Sequence, residues 1–214
     1  VVCALLVAVS AVSLRSRQEN NQLVYRQKNV LLAAGLVKPD QKLSDRELQA
    51  IFDQNIVVRL IDLKTGEMLP QGKIDERTYD QKKARNDPAQ SRAAPPNPAL
   101  VSRLPTYGAV YLVTKGVKDG PPELVVLPIE GMAMWATAYG FIDIDRDGNT
   151  VSGLAFYDQQ ETPGLGGEIG NPKWQALWRG RKGFDDQWNA RITVIKGTAG
   201  APEADPLRVD GLSG

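Results

Sequence analysis

Residues 138 to 158 read AYGFIDIDRDGNTVSGLAFYD. Two runs rich in apolar and β-branched residues, AYGFIDID and TVSGLAFYD, flank RDGN, and Asp147-Gly148 is a strong local signal for a tight turn between antiparallel strands. The same stretch opens like a calcium loop, with Asp143, Asp145 and Asp147 followed by Gly148. That motif closes on a bidentate Glu at its twelfth position, where this chain has Leu154. The expected flanks are strands, not the helices of a calcium-binding hand. A solvated hairpin accounts for the pattern, and no metal is assigned to it.

Upstream, YGAVYLVTK (107–115) and ELVVLPIE (123–130) read as two more strands across a turn-rich KGVKDGPP. IVVRLIDL (56–63) is another, ending in a turn at Lys64-Thr65-Gly66-Glu67. Before it, Ser44 and Glu47 form a capping box for a short helix carrying Leu48, Ile51 and Phe52 on one face. Leu23, Val30, Leu31 and Ala34 are spaced for a helix over 18–34, which Gly35 stops and Pro39 follows. Residues 70–106 are polar, mixed in charge and interrupted by PPNP, and predict a long surface excursion with little regular structure. GMAMWATAYGF (131–141) sets Trp135 and Tyr139 near Gly131; such aromatics fill a core more commonly than they wall a ring-shaped ligand.

Downstream, Asn171-Pro172 is an N-cap and first helical position, opening a helix with Trp174, Leu177 and Trp178 at i, i+3, i+4 spacing. Packing is the commoner role for those tryptophans. ARITVIK (190–196) predicts one more strand, and the last residues read as loop. The fold class is α+β: a twisted antiparallel sheet packed with helices, preceded by an N-terminal transmembrane helix. The chain divides into an anchor at 1–16, a helical stalk and cap at 17–55, and a domain at 56–214 that contains the 70–106 excursion.

The anchor rests on VVCALLVAVSAVSL, 14 residues without a charge. As a helix this is about 21 Å long, against roughly 30 Å of bilayer hydrocarbon. The chain does not begin with Met, and roughly six further apolar residues would complete a span. An anchor ranks ahead of a secretory signal peptide, which lacks its small-residue cleavage site here, and of a buried soluble helix. Arg15 and Arg17 alone place the following domain on the cytoplasmic side.

Composition removes several function classes. The 214 residues are 42% hydrophobic and 24% charged, enough for one core, and the net charge of +1 carries no footprint for nucleic acid. With no histidine, there is no Ser-His-Asp or Cys-His nucleophile, no histidine zinc site and no imidazole proton shuttle. Cys3 stands alone and can neither form an internal disulfide nor by itself ligate an iron–sulfur cluster.

Residues 161–170, ETPGLGGEIG, hold one proline and four glycines and have neither a helical nor a strand period. A phosphate-binding loop needs GK[ST], and no lysine follows these glycines. The dinucleotide spacing is missed by Gly164, Gly166 and Gly167, and Glu161 and Glu168 would repel a phosphate. Two readings stand level: an ordinary tight turn, or bare main chain approached by a neutral, planar group.

ETPGLGGE with NPKW, together with GNTVSGLAFYDQQ, YGAVYLV, LPIEG and the terminal VDGLSG, resembles the NqrC family, a component of the Na+-translocating NADH:quinone oxidoreductases. The likeness runs nearly the whole chain. The RnfG component of the Rnf complex, which works with ferredoxin, shares the glycine loop and terminal motif and is the second candidate. The resemblance implies a periplasmic FMN-binding domain on a single-pass anchor in the bacterial inner membrane. It implies FMN esterified by a flavin transferase to the last residue of D-x-x-S/T-G-A-T. Asp210, Ser213 and Gly214 match the start of that motif, and the flavin-bearing Thr would stand two residues past Gly214. Further implied flavin contacts are Trp135, Glu161, Thr162, Gly164, Leu165, Gly166 and Gly167, with no acid–base catalytic residue and no metal. The implied partners are an iron–sulfur membrane subunit and a second FMN-bearing subunit. The implied periplasmic side opposes the vote of Arg15 and Arg17, and the resemblance takes precedence. A membrane-tethered binding scaffold and a free-standing periplasmic flavoenzyme are the competing classes.

Overall fold

The computed structural model describes residues 2–114, 116–117 and 120–212, with side chains described from Ser13 onward except Ser16. The first helix, α1, is continuous over Val2–Ala33. The anchor expected at 1–16 falls almost wholly on residues whose side chains lie outside this description. Among the described residues, no helix is long and apolar enough to cross a membrane. The second half of α1 enters the core, with Val24, Val30, Leu31 and Ala33 buried.

Helix α2 (Asp45–Asn55) starts at the capping box read from the sequence. The Ser44 amide donates to Glu47 Oε2 at 2.7 Å, and the Glu47 amide donates to Ser44 Oγ at 3.4 Å. Its apolar stripe buries Leu48 and Phe52 against α1 and the sheet. Five strands stand where the apolar, β-branched runs predict them: β1 (Ile56–Asp62), β4 (Tyr107–Val113), β5 (Leu124–Met132), β6 (Thr137–Asp145) and β7 (Val151–Asp158). They form one antiparallel sheet in the order β1-β4-β5-β6-β7. The 138–158 hairpin has Ile142 opposite Leu154, with irregularities after Tyr139 and Asp143. On the helix-covered face, Leu60, Val113, Val126 and Phe141 are fully buried. Phe141 meets Tyr111 edge to face, with ring centroids 5.8 Å apart, and stacks on Tyr157 at 5.1 Å.

The 70–106 segment is more regular than its composition predicts. It contains helix α3 (Gln81–Asn86) and a hairpin of β2 (Ser91–Ala93) with β3 (Arg103–Pro105). Polar side chains hold it rather than an apolar stripe, which is why periodicity misses it. The Asp80 side chain caps α3, the Tyr79 hydroxyl donates to the Tyr107 carbonyl at 2.7 Å, and the Ala109 amide donates to Gln81 Oε1 at 2.8 Å.

The last third wraps the β7 side of the sheet. A 3-10 turn (Gly166–Gly170) leads into α4 (Pro172–Ala176), capped by Asn171 as the sequence indicates. The strand expected over 190–196 shrinks to β8 (Thr193–Val194), paired in parallel with β9 (Arg208–Val209). Arg181, 1% exposed, ties this region down by donating to the carbonyls of Leu177, Gly200 and Asp205. One cation among the three of WRGRKG (178–183) carries no sequence signal for that task.

Candidate functional site

The β5–β6 connection and the glycine loop meet at one end of the sheet. The connection is closed by the Ala133 amide donating to the Ala136 carbonyl at 3.0 Å, and the Met132 amide donates to the Ala99 carbonyl at 2.8 Å. This leaves Trp135 67% exposed, on a turn rather than in a core. Its amide donates to Glu161 Oε1 at 3.0 Å, so the glycine loop and the tryptophan turn are joined directly.

Within the loop, the amides of Leu165 and Gly167 both donate to the Thr162 carbonyl, at 3.1 and 3.0 Å. Each glycine has its own reason. Gly164 sits at φ +76°, a region costly for other residues, and a Cβ there would meet nothing within 4 Å. A Cβ on Gly166 would lie 2.8 Å from Glu161 Oε2, and one on Gly167 would lie 3.0 Å from the Thr162 carbonyl oxygen. Gly166 and Gly167 are thus crowded from within the loop, Gly166 by a carboxylate that can shift and Gly167 by main chain, and Gly164 is the one whose bare surface opens outward. Among the described residues, the amides of Gly164 and Gly166 and the Thr162 hydroxyl find no protein partner. Leu165 is 49% exposed beside them.

The helix after the loop carries the link to the C-terminal segment. Trp174 Nε1 donates to the Asp210 carbonyl at 2.9 Å, and Asp210 Oδ1 accepts from the Ala199 amide at 2.8 Å. Gln175 Nε2 donates to the Ile169 carbonyl at 3.0 Å, holding α4 to the 3-10 turn. Trp135 and Glu161 through Gly167 thus come together at one surface. Asp210 is tied by its carbonyl to Trp174 of α4, the helix that follows the glycine loop. Ser213 and Gly214 lie outside the described residues.

The calcium look-alike does not converge. Asp147 accepts from the Asn149 and Thr150 amides at 2.9 and 2.8 Å, so the turn itself consumes its carboxylate. Asp143 points into the core, 1% exposed, and neither of its oxygens has a hydrogen-bond partner. Burial pushes its carboxyl up to about 7, with Arg179 pulling in the opposite direction. Among the described residues, no cluster of three or more acidic or cysteine side chains can hold a metal ion.

Ionic groups that no sequence pattern marks stand at the strand ends that lead into this surface. Arg85 and Lys82 of α3 reach Glu130, Tyr139 and Asp158, at the ends of β5, β6 and β7. Burial raises the Glu130 carboxyl above its ordinary range, and Arg85 offsets part of that rise. Only contacts distant in sequence assemble this group.

Comparison with known proteins gives the class first. The FMN-binding domain family matches residues 134–214, which begin at the tryptophan turn and include the glycine loop and the Asp210 segment. The full chain is 42% identical over 215 residues to the NqrC component of the Na(+)-translocating NADH-quinone reductase of Yersinia pestis, covering 77% of it. It is 40% identical over 216 residues to the corresponding NqrC of Pseudomonas aeruginosa, covering 80% of that protein. Among solved structures, NqrC from Shewanella oneidensis aligns with a TM-score of 0.77 at 29% identity, over 92% of this chain and 85% of that one. The NqrC structure from Parabacteroides distasonis aligns with a TM-score of 0.64 at 25% identity, over 92% and 83%. The chain belongs to the NqrC family of the Na+-translocating NADH-quinone reductases, components of an oxidoreductase complex.

Proposed function

We propose that this chain is a membrane-anchored electron-transfer subunit whose FMN lies against Trp135 and the 161–167 loop. The observation that carries the reading is the surface at that loop. An exposed aromatic ring, the exposed Leu165, and amides at Gly164 and Gly166 without protein acceptors stand together there. A flat ring with apolar faces and acceptor edges matches those groups. Thr162 and the free amides would donate to the ring's carbonyl and nitrogen edges, while Leu165 and Trp135 would cover its apolar area. Bound FMN supplies one-electron redox chemistry, which hydrogen bonds and charge near the ring tune. Asp210, with Ser213 and Gly214, would position the segment that leads to an esterified Thr two residues beyond Gly214. A covalent tether retains the flavin without demanding affinity from so open a surface.

The direction of α1 supports the anchored arrangement. The Tyr25 hydroxyl donates to the Tyr157 carbonyl at 2.9 Å, near the end of β7 that enters the glycine loop. Eight residues later, the Ala33 carbonyl lies beside Gly153 at the opposite end of β7. Followed toward its N-terminus, α1 therefore leaves the domain at the end that carries the site. In this role the chain takes part in moving electrons from an iron–sulfur membrane subunit to a second FMN-bearing subunit. The soluble domain stands on the periplasmic side.

The test is the intact mass of the full-length protein produced with its flavin transferase. The expected mass exceeds that of the polypeptide by one esterified FMN, with yellow colour. A colourless protein of polypeptide mass would overturn the reading. Cleavage within 95–100 by added protease in intact outer-membrane-permeabilised cells checks the side of the membrane.

A further inference from the structure

The short helix α3 grips three neighbouring strands where they run into the proposed flavin surface. Lys82 Nζ lies 2.7 Å from Asp158 Oδ2 and 4.0 Å from the centre of the Tyr139 ring. Arg85 Nη1 lies 2.9 Å from Glu130 Oε2, and its Nη2 donates to the Tyr139 hydroxyl at 2.7 Å. Glu130 and Tyr139 are direct partners across β5 and β6, and Tyr139 and Asp158 are partners across β6 and β7. Beyond Glu130 and before Tyr139 lies the Trp135 turn; just beyond Asp158 comes Glu161, which receives the Trp135 amide. The helix is itself fixed from the far side by Tyr79 and Gln81 on β4 and by the Arg26–Asp80 pair at 3.8 Å.

We propose that Lys82 and Arg85 are positioning residues for the flavin site: they set the spacing between the tryptophan turn and the glycine loop, and so the surroundings of the bound ring. This inference rests on the flavin reading above. Stability alone is a poor account of the arrangement. The Lys82–Asp158 pair is nearly half exposed at both ends, where ion pairs contribute little. The Arg85–Glu130 pair is 15% and 17% exposed, where desolvation offsets the attraction. What the guanidinium fork adds is geometry, because it holds a carboxylate and a phenol at fixed angles from one side chain.

The experiment uses the full-length protein produced with its flavin transferase, comparing parent, Arg85→Met, Arg85→Lys, Lys82→Met and the swap Lys82→Glu with Asp158→Lys. Flavin content, the visible absorption bands, flavin fluorescence and the midpoint potential are read on folded protein. Because attachment is covalent, flavin content is expected to stay at the parental level while the bands and potential shift in Arg85→Met and Lys82→Met. Arg85→Lys keeps the charge but loses the planar fork that fixes both partners at set angles, so it also shifts the bands, and the swap returns them toward the parent. Unchanged bands, fluorescence and potential in both Met variants would overturn the inference and leave the flavin reading intact. If Arg85→Met does not fold, Lys82→Met decides, since its pair lies at the surface. A parent protein without flavin overturns the reading and the inference together.

Discussion

Glu161 connects the two halves of the site: one carboxylate oxygen takes the Trp135 amide, and the other lies against bare Gly166. Gly166→Ala is expected to push that carboxylate aside and release the turn. The stability loss is about 1 kcal/mol, one hydrogen bond's worth, by urea unfolding, with altered visible bands in flavin-loaded protein. Gly164→Ala should cost about 1 kcal/mol through backbone strain alone, since nothing crowds the new methyl. Asp143 has a different consequence. Its carboxyl, held near 7 when folded and titrating near 3.8 when free, keeps its proton in the fold over a range where the unfolded chain has lost it. Stability therefore falls as pH rises from about 4 to about 7, by at most about 4 kcal/mol at about 1.36 kcal/mol per unit. Asp143→Asn removes this dependence. It should be more stable than the parent at pH 8 by urea unfolding, with the gap closing toward pH 4. A gap that does not depend on pH would refute the assignment.

Elements in this protein are held by two kinds of information. The capping box of α2 and the turn at Asp147 are local, and both stand where the residues indicate. Ser44→Ala should cost about 1 kcal/mol of stability without touching the sheet, measured by thermal unfolding. Helix α3 is the opposite case. It has six residues and no apolar stripe, and it exists because Asp80, Tyr79, Gln81, Lys82 and Arg85 find partners on other elements. Arg85→Met leaves the Glu130 carboxylate buried without its cation, an expected loss of about 3 kcal/mol at neutral pH. Because burial already raises the Glu130 carboxyl, that loss should shrink as acid protonates it, and adding Glu130→Gln should recover much of it.

At the scale of the molecule, the C-terminal third joins the sheet along the start of β7, where the Val151 amide donates to the Arg181 carbonyl at 2.8 Å and the Gly180 amide to the Val151 carbonyl at 2.9 Å, and its own segments are tied together by polar side chains. Arg181 holds the 200–205 segment, and Trp174 holds Asp210. Trp174→Phe keeps an aromatic ring but removes the donor. The expected result is a loss of about 1 kcal/mol and faster hydrogen exchange at the Gly211 amide, which donates to the Gly197 carbonyl at 2.8 Å. The core itself should be unaffected, since Phe141, Val126 and Leu31 lie in a separate cluster that α1 and α2 close. Through α4 the same fastening links the Asp210 segment, by Trp174, to the 3-10 turn after the glycine loop, by Gln175.

The amino-acid order by itself determined the five long strands, the caps of α2 and α4 and the hairpin at Asp147, because each depends on neighbours within a few residues. It also marked the glycine loop as unusual, whereas core filling was the commoner expectation for Trp135, which the fold leaves exposed. Tertiary structure alone decided that Asp143 is buried without a partner and that Lys82 and Arg85 grip three strand ends. Each of these depends on which atoms arrive from elsewhere in the chain, and desolvation and contact distance are set only when the chain closes on itself.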